Sequence, residues 1–139
     1  RCALPYVDKK RHLLVFREWQ PGTAMTQGLF QIPEPTEVAP EITPSILLTP
    51  LLAYDSAGYR LGYGGGYYDG ALAALRRSGG PVLAVGTAFT EQMVERVPHG
   101  DKDEQLDWIV TERGAMRFDR ENKMRFDREN NTADQKDRA

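Results

Sequence analysis

The sequence predicts an α/β domain with a mainly parallel sheet flanked by helices, and three observations predict it. Two short apolar runs, Ile46-Leu47-Leu48-Thr49 and Val82 to Val85, are strand-length and bounded by Pro or Gly, which fits strands buried on both faces. Between them Ala71, Leu72, Ala74 and Leu75 recur at helical spacing from Tyr68 to Arg77, and Gly79-Gly80-Pro81 stops that helix. Strand, helix and strand in this order make a βαβ unit, whose crossover is right-handed and whose ligand loop lies at the carboxyl edge.

The remaining elements follow in order. Leu13 to Phe16 reads as a strand after the charged turn Asp8 to His12, with Cys2 to Leu4 as its neighbour. Pro33, Pro35, Pro40 and Pro44, interleaved with Glu34, Glu37 and Glu41, exclude a helix there. Thr90 to Val94 offers an N-cap threonine and a short helix, and Leu106 to Thr111 a last strand carrying Trp108. Beyond Gly114 the composition changes: Met116 to Asn122 is repeated as Met124 to Asn130 after one lysine. A repeat of eight holds no single helical face, so residues 115–139 are expected to be a frayed helix or solvated tail, leaving 1–114 as the domain; a partner-binding segment is the competing reading.

With 139 residues, 40% hydrophobic and 27% charged, the chain suffices for one soluble domain. A net charge of -2 gives no electrostatic footprint for nucleic acid or an anionic membrane, so any anion must be held by a local site. The single cysteine, Cys2, excludes an intrachain disulfide and points to a reducing, cytoplasmic setting. A monomer is expected. The chain opens at Arg1 rather than Met, which suggests a longer protein whose beginning is missing.

The strongest candidate site is Arg60-Leu61-Gly62-Tyr63-Gly64-Gly65-Gly66-Tyr67-Tyr68-Asp69. Four glycines permit positive φ and leave no Cβ, so consecutive N–H groups can converge on a polyphosphate. Asp69 then lies where a Mg²⁺ bridging phosphate oxygens needs a hard ligand. The spacing is neither the dinucleotide fingerprint nor a Walker A loop. Two weaker candidates are the acidic loop with Asp101, Asp103 and Asp107, and Glu34, aimed by its flanking prolines. Each has a plainer reading. The glycines suit a strand-to-helix turn, Tyr67 and Tyr68 can cover the sheet, Asp69 suits a helix start, Arg60 can pair with a surface acid, and Asp103 is ordinary turn chemistry.

The decapeptide resembles the signature of the 5-formyltetrahydrofolate cyclo-ligase family, also called methenyltetrahydrofolate synthetase. Gly28 to Pro35, Leu48 to Asp55, Val85-Gly86 through Phe89, Gln92, Val97-Pro98 and Asp103 to Glu112 are similar to further family segments in order and spacing. The resemblance covers about Cys2 to Gly114 and implies a cyclo-ligase-like fold (NagB/RpiA/CoA-transferase-like) lacking its first strand and helix. It implies ATP- and Mg²⁺-dependent closure of 5-formyltetrahydrofolate to 5,10-methenyltetrahydrofolate. By the same resemblance, ATP is held by Arg60, Leu61, Gly62, Tyr63, Gly64, Gly65, Gly66, Tyr67 and Tyr68, with Arg60 and Tyr67 catalytic. The folate borders Tyr63, Gly64, Gly65, Gly66 and Tyr67, with Glu34 as a further contact, and Asp69 with Asp103 holds Mg²⁺. Gly70, Lys102 and Ser45 depart from the family pattern. A catalytically silent nucleotide- or folate-binding relic is the alternative, and a purely structural domain the third reading.

Overall fold

Strands β1 (Cys2–Asp8) and β2 (Leu13–Trp19) form an antiparallel hairpin in register from Cys2 opposite Trp19 to Asp8 opposite Leu13. The Asp8 carboxylate closes its turn, accepting the N–H groups of Lys10 and Arg11 at 3.0 Å and Arg11 Nε at 2.6 Å. The hydrogen bonds from Arg11 hold that carboxyl below its ordinary pKa. Two short strands, β3 (Met25–Gln27) and β4 (Pro33–Pro35), pair antiparallel across a 3₁₀ turn at Leu29–Gln31. Proline donates no N–H, so this ribbon cannot extend into a larger sheet on that edge.

The structure, a computed structural model, describes residues 1–119 and strand 123–126. It divides into two compact units: Arg1–Leu47, Gly65–Leu83 and Asp101–Glu104 in the first; Leu48–Gly64, Ala84–Gly100 and Gln105–Ala139 in the second. The first unit's helix α1 (Tyr67–Arg77) packs on β2, burying Ala71 and Leu72 where Leu14, Val15 and Phe16 are also buried. It begins on Gly66 in the left-handed conformation (φ 67°), and Gly79 (φ 77°) follows its end. Arg76 and Arg77 in the last turn complement the helix dipole.

The five-stranded sheet has the order β11-β10-β9-β8-β5. Its strands are β5 (Ile46–Thr49), β8 (Leu83–Thr87), β9 (Trp108–Thr111), β10 (Gly114–Asp119) and β11 (Lys123–Phe126). Between β5 and α1 in the chain lie β6 (Ala53–Tyr54) and β7 (Arg60–Leu61), an antiparallel ribbon. The second unit contains most of the sheet and buries Leu51, Tyr54, Ala84, Val97, Leu106, Ile109, Met116 and Phe118. Gly86 has no room for a side chain, since a Cβ there would stand 2.7 Å from Leu106, 2.8 Å from Ile109 and 2.9 Å from Leu51.

Several expectations change. The sheet is mixed, because β8 runs parallel to β9 while β9, β10 and β11 form an antiparallel meander. Among the described residues α1 is the one α-helix; the short helix expected at Thr90–Val94 is a 3₁₀ turn, Thr90–Gln92, with the Phe89 N–H donating to Gln92 Oε1 at 2.7 Å. β5 is buried on one face only: Leu47 and Thr49 point inward while Ile46 and Leu48 are 60% and 63% exposed. Leu106 to Thr111 is not the last strand. In the segment expected to fray, β10 runs across the boundary drawn at 114 and buries Met116 and Phe118 at period two, which draws it onto β9. Residues 120–122 and 127–139 lie outside the described residues. Among the described residues no helix is long and apolar enough to cross a membrane.

The Tyr54 side chain is fully buried, and burial, followed by the nearby Glu112 charge, pushes its phenol above the usual pKa. Among the described residues its hydroxyl finds no hydrogen-bond partner. Tyr54→Phe is therefore expected to raise the unfolding free energy by about 1 kcal/mol, since the buried hydroxyl costs solvation and returns no bond. Urea denaturation checks this, and a loss of stability of similar size contradicts it.

Candidate functional site

The glycine loop changes unit at the Gly64–Gly65 bond. On the second-unit side Arg60 and Leu61 form β7, held against Tyr54 and Ala53, and the chain then opens into solvent at Leu61, Gly62, Tyr63 and Gly64. Gly64 has φ 90°, and the Tyr63 ring is 80% exposed. On the first-unit side Gly65 and Gly66 are exposed, and a Cβ on Gly65 would lie 2.8 Å from the Tyr67 ring, so that ring folds back over the glycine. Gly62, Gly64 and Gly66 have open space where a Cβ would project. The loop is thus not walled off by packed side chains.

Gly66 gives α1 no side-chain cap. An uncapped helix start after a glycine turn presents positive dipole and amide donors, the arrangement that accepts phosphate oxygens. Asp69, in the first turn, puts a carboxylate beside the same position. Two like charges there need a cation between them, which favours a metal-bridged phosphate over phosphate alone.

Asp69 Oδ1 accepts the N–H of Glu104 at 2.9 Å, and the Glu104 carboxylate pairs with Arg76. Asp69 and Arg76 are seven residues apart, two helical turns, and so share one face of α1. The loop Asp101–Glu104 is thereby strapped lengthwise to the helix, with Asp103 adjacent to the residue bonded to Asp69. The hydrogen bond to Asp69 comes from the Glu104 backbone, one residue beyond Asp103. Mg²⁺ takes one or two protein carboxylates and fills its octahedron with phosphate oxygens and water, so two are enough. Among the described residues no group of three metal-ligating side chains assembles. Asp107 belongs elsewhere: its Oδ2 accepts the Ala84 N–H at 2.8 Å, joining β8 to the start of β9. Asp101 is exposed in the turn.

Glu34 is buried in β4, accepting the Val7 N–H at 3.4 Å. It lines an open cavity of about 610 Å³ in the first unit together with Lys9, Lys10 and Arg17. Gly28 is required there, because a Cβ would come within 2.3 Å of the Glu34 carboxyl group. Arg17 lies 4.5 Å over the Tyr6 ring and donates to the carbonyls of Glu37 and Ala39 at 2.9 and 2.7 Å. The cavity therefore combines one buried carboxylate with cations and can orient a polar ligand of drug size.

Sequence reasoning missed three features. Phe30 is 81% exposed and, with Gln31, sits in the left-handed region (φ 57° and 60°), strain that holds an aromatic face open to solvent. The exposed phenylalanine beside Pro33 was the available signal. Asp55, 3% exposed, accepts the N–H groups of Ala57, Tyr59 and Val97, and the turn pattern Asp-Ser-Ala-Gly announced it. His99 stacks on Tyr59 with ring centroids 3.5 Å apart, a contact no sequence pattern encodes. Cys2 is exposed on β1 and His12 is exposed in the hairpin turn.

Residues 1–112 match the 5-formyltetrahydrofolate cyclo-ligase family. The 5-formyltetrahydrofolate cyclo-ligase of Haemophilus influenzae is 39% identical over 92 residues, 63% of this chain and 48% of that protein. That of Escherichia coli K12 is 33% identical over 102 residues, 70% of this chain and 55% of that protein. The chain thus spans about half the length of the curated relatives it matches. Among solved structures, the Aquifex aeolicus 5,10-methenyltetrahydrofolate synthetase superposes with a TM-score of 0.66 at 33% identity, covering 83% of this chain and 57% of that one.

Proposed function

Because the chain belongs to the 5-formyltetrahydrofolate cyclo-ligase family, we propose that it supplies the nucleotide-phosphate and metal-binding part of the ATP-dependent closure of 5-formyltetrahydrofolate to 5,10-methenyltetrahydrofolate, releasing ADP and phosphate. One observation carries the reading: an exposed glycine turn runs into an uncapped helix whose first-turn carboxylate, Asp69, is tied to the loop bearing Asp103.

A formyl amide oxygen is a poor leaving group. Transfer of the γ-phosphoryl group to that oxygen makes it a good one; the neighbouring folate nitrogen then attacks the formyl carbon, the carbon–oxygen bond breaks, and phosphate departs. The protein's task is positioning and charge neutralisation. Backbone N–H groups of Gly62, Gly64, Gly65 and Gly66 hold phosphate oxygens, with Leu61 and Tyr68 bordering them, and Arg60 offsets charge on the transferred group. Tyr63 and Tyr67 border the folate, Tyr67 at the reacting centre, and Glu34 orients its polar end. Asp69 and Asp103 would hold Mg²⁺, which would supply the remaining positive charge.

The test is ATP binding to the 139-residue chain, followed by calorimetry with and without Mg²⁺, and methenyl absorbance after 5-formyltetrahydrofolate is added. Mg²⁺-dependent ATP binding with product formation is expected. Binding without product assigns the chain to the silent binding module instead, and absence of both ATP and 5-formyltetrahydrofolate binding overturns both readings.

A further inference from the structure

The cavity of the first unit is lined by two buried polar groups that the chain leaves short of partners. Among the described residues the Glu34 carboxylate, 9% exposed, meets one donor, the Val7 N–H, at 3.4 Å, long for such a bond. Arg17 commits Nη1 to the carbonyls of Glu37 and Ala39, and its buried Nε–H finds no acceptor among the described residues. The Tyr6 phenol, held above its usual pKa chiefly by its bond to the Glu37 carboxylate, also senses Arg17 and Glu34, with opposite signs, so both charges act on one ring. The other two acids of the lining are engaged: Asp8 by the hairpin turn and Arg11, Glu37 by the Tyr6 hydroxyl at 2.8 Å. A buried carboxylate short of donors and a buried N–H short of an acceptor, on the wall of one cavity of about 610 Å³, are groups that a ligand completes.

We propose that this cavity takes the 2-amino-4-oxopyrimidine edge of the folate's pterin ring, Glu34 accepting the ring N–H and the adjacent amino N–H while Arg17 Nε donates to the oxo group beside them. The inference rests on the folate reading above and adds which end of the molecule enters and which of its atoms are read. That edge carries two donors and an acceptor in one row, the complement of a carboxylate and a guanidinium N–H lining the same cavity. The benzoylglutamate end carries the opposite chemistry, carboxylates that a buried Glu34 repels. Lys9 and Lys10 also line the cavity, but they are exposed, so solvent and salt screen them.

The test is calorimetry on the full chain without ATP or Mg²⁺, with three probes: 5-formyl-6-methyltetrahydropterin, its counterpart with hydrogen in place of the 2-amino group, and 4-aminobenzoylglutamate. The pterin is expected to bind and the benzoylglutamate is not. Glu34→Gln keeps an oxygen for the Val7 N–H. That substitution and removal of the 2-amino group are each expected to weaken binding about 10–100-fold, and the two together little more than either alone, because they remove the same contact. Arg17→Lys, which keeps the cation and removes the Nε–H, is expected to weaken the pterin about threefold to tenfold. Losses that add across the Glu34 cycle overturn the proposal, as do unchanged affinities in Glu34→Gln and Arg17→Lys. Benzoylglutamate binding in place of the pterin overturns it too, while leaving the folate reading intact. A chain that binds the pterin without ATP contradicts the nucleotide half of that reading and upholds this inference.

Discussion

Asp55→Ala is expected to destabilise the protein by about 3–5 kcal/mol, a large part of the roughly 5–15 kcal/mol that holds a domain of this size together. The carboxylate is buried and accepts three backbone N–H groups: Ala57 and Tyr59 on Oδ1 at 3.0 and 3.1 Å, and Val97 on Oδ2 at 2.9 Å. It thereby ties the turn between β6 and β7 to the segment that follows β8 in the second unit. Alanine leaves the Val97 amide without an acceptor in a site from which water is excluded, and it removes the local bonds that fold the turn. Asp55→Asn separates these effects. One amide oxygen still serves Ala57 and Tyr59, but the NH₂ group faces the Val97 donor, so a loss of about 2 kcal/mol is expected. Chemical denaturation of both variants decides the matter; equal and small losses would show that the three bonds carry little.

Asp69→Ala is expected to abolish the Mg²⁺-dependent part of nucleotide affinity, a drop of about 10–100-fold or more at saturating metal. Asp69 has two duties, a charge for the metal and an acceptor for the Glu104 N–H. Asp69→Asn keeps the acceptor and discards the charge. If both variants lose the Mg²⁺ dependence while Asp69→Asn retains the melting temperature of the parent, the carboxylate grips the metal. If Asp69→Asn binds Mg²⁺-nucleotide normally, the residue only positions the loop and the metal assignment fails.

How far the sequence could be read depended on whether the governing contacts were local. Helix α1 was legible because Ala71, Leu72, Ala74 and Leu75 recur at helical spacing and Gly79-Gly80-Pro81 marks its end. β5 was found in the right place with the wrong burial, since Ile-Leu-Leu-Thr contains no polar residue to show which face meets water. β10 was missed although Met116, Arg117 and Phe118 alternate; the eight-residue repeat drew attention to helical faces, and the partner strand Trp108–Thr111 lies across a tight turn that composition did not flag. The exposed glycine turn running into α1, with Asp69 in the helix's first turn, was legible from its dense glycines and the Tyr-Tyr-Asp that follows. Asp103 was only a weaker candidate before the family resemblance, and the bond from its neighbour Glu104 to Asp69, spanning 35 residues of sequence, leaves no local signal.

The strap formed by Asp69, Glu104 and Arg76 makes α1 a ruler. One residue inserted between positions 69 and 76 would turn the two anchors about 100° apart around the helix. Glu104 could then reach only one of them, and the loop Asp101–Glu104 would lose an anchor with both anchoring residues still present. Lineages of this chain can therefore vary the exposed side chains between the two anchors but not the residue count of that stretch.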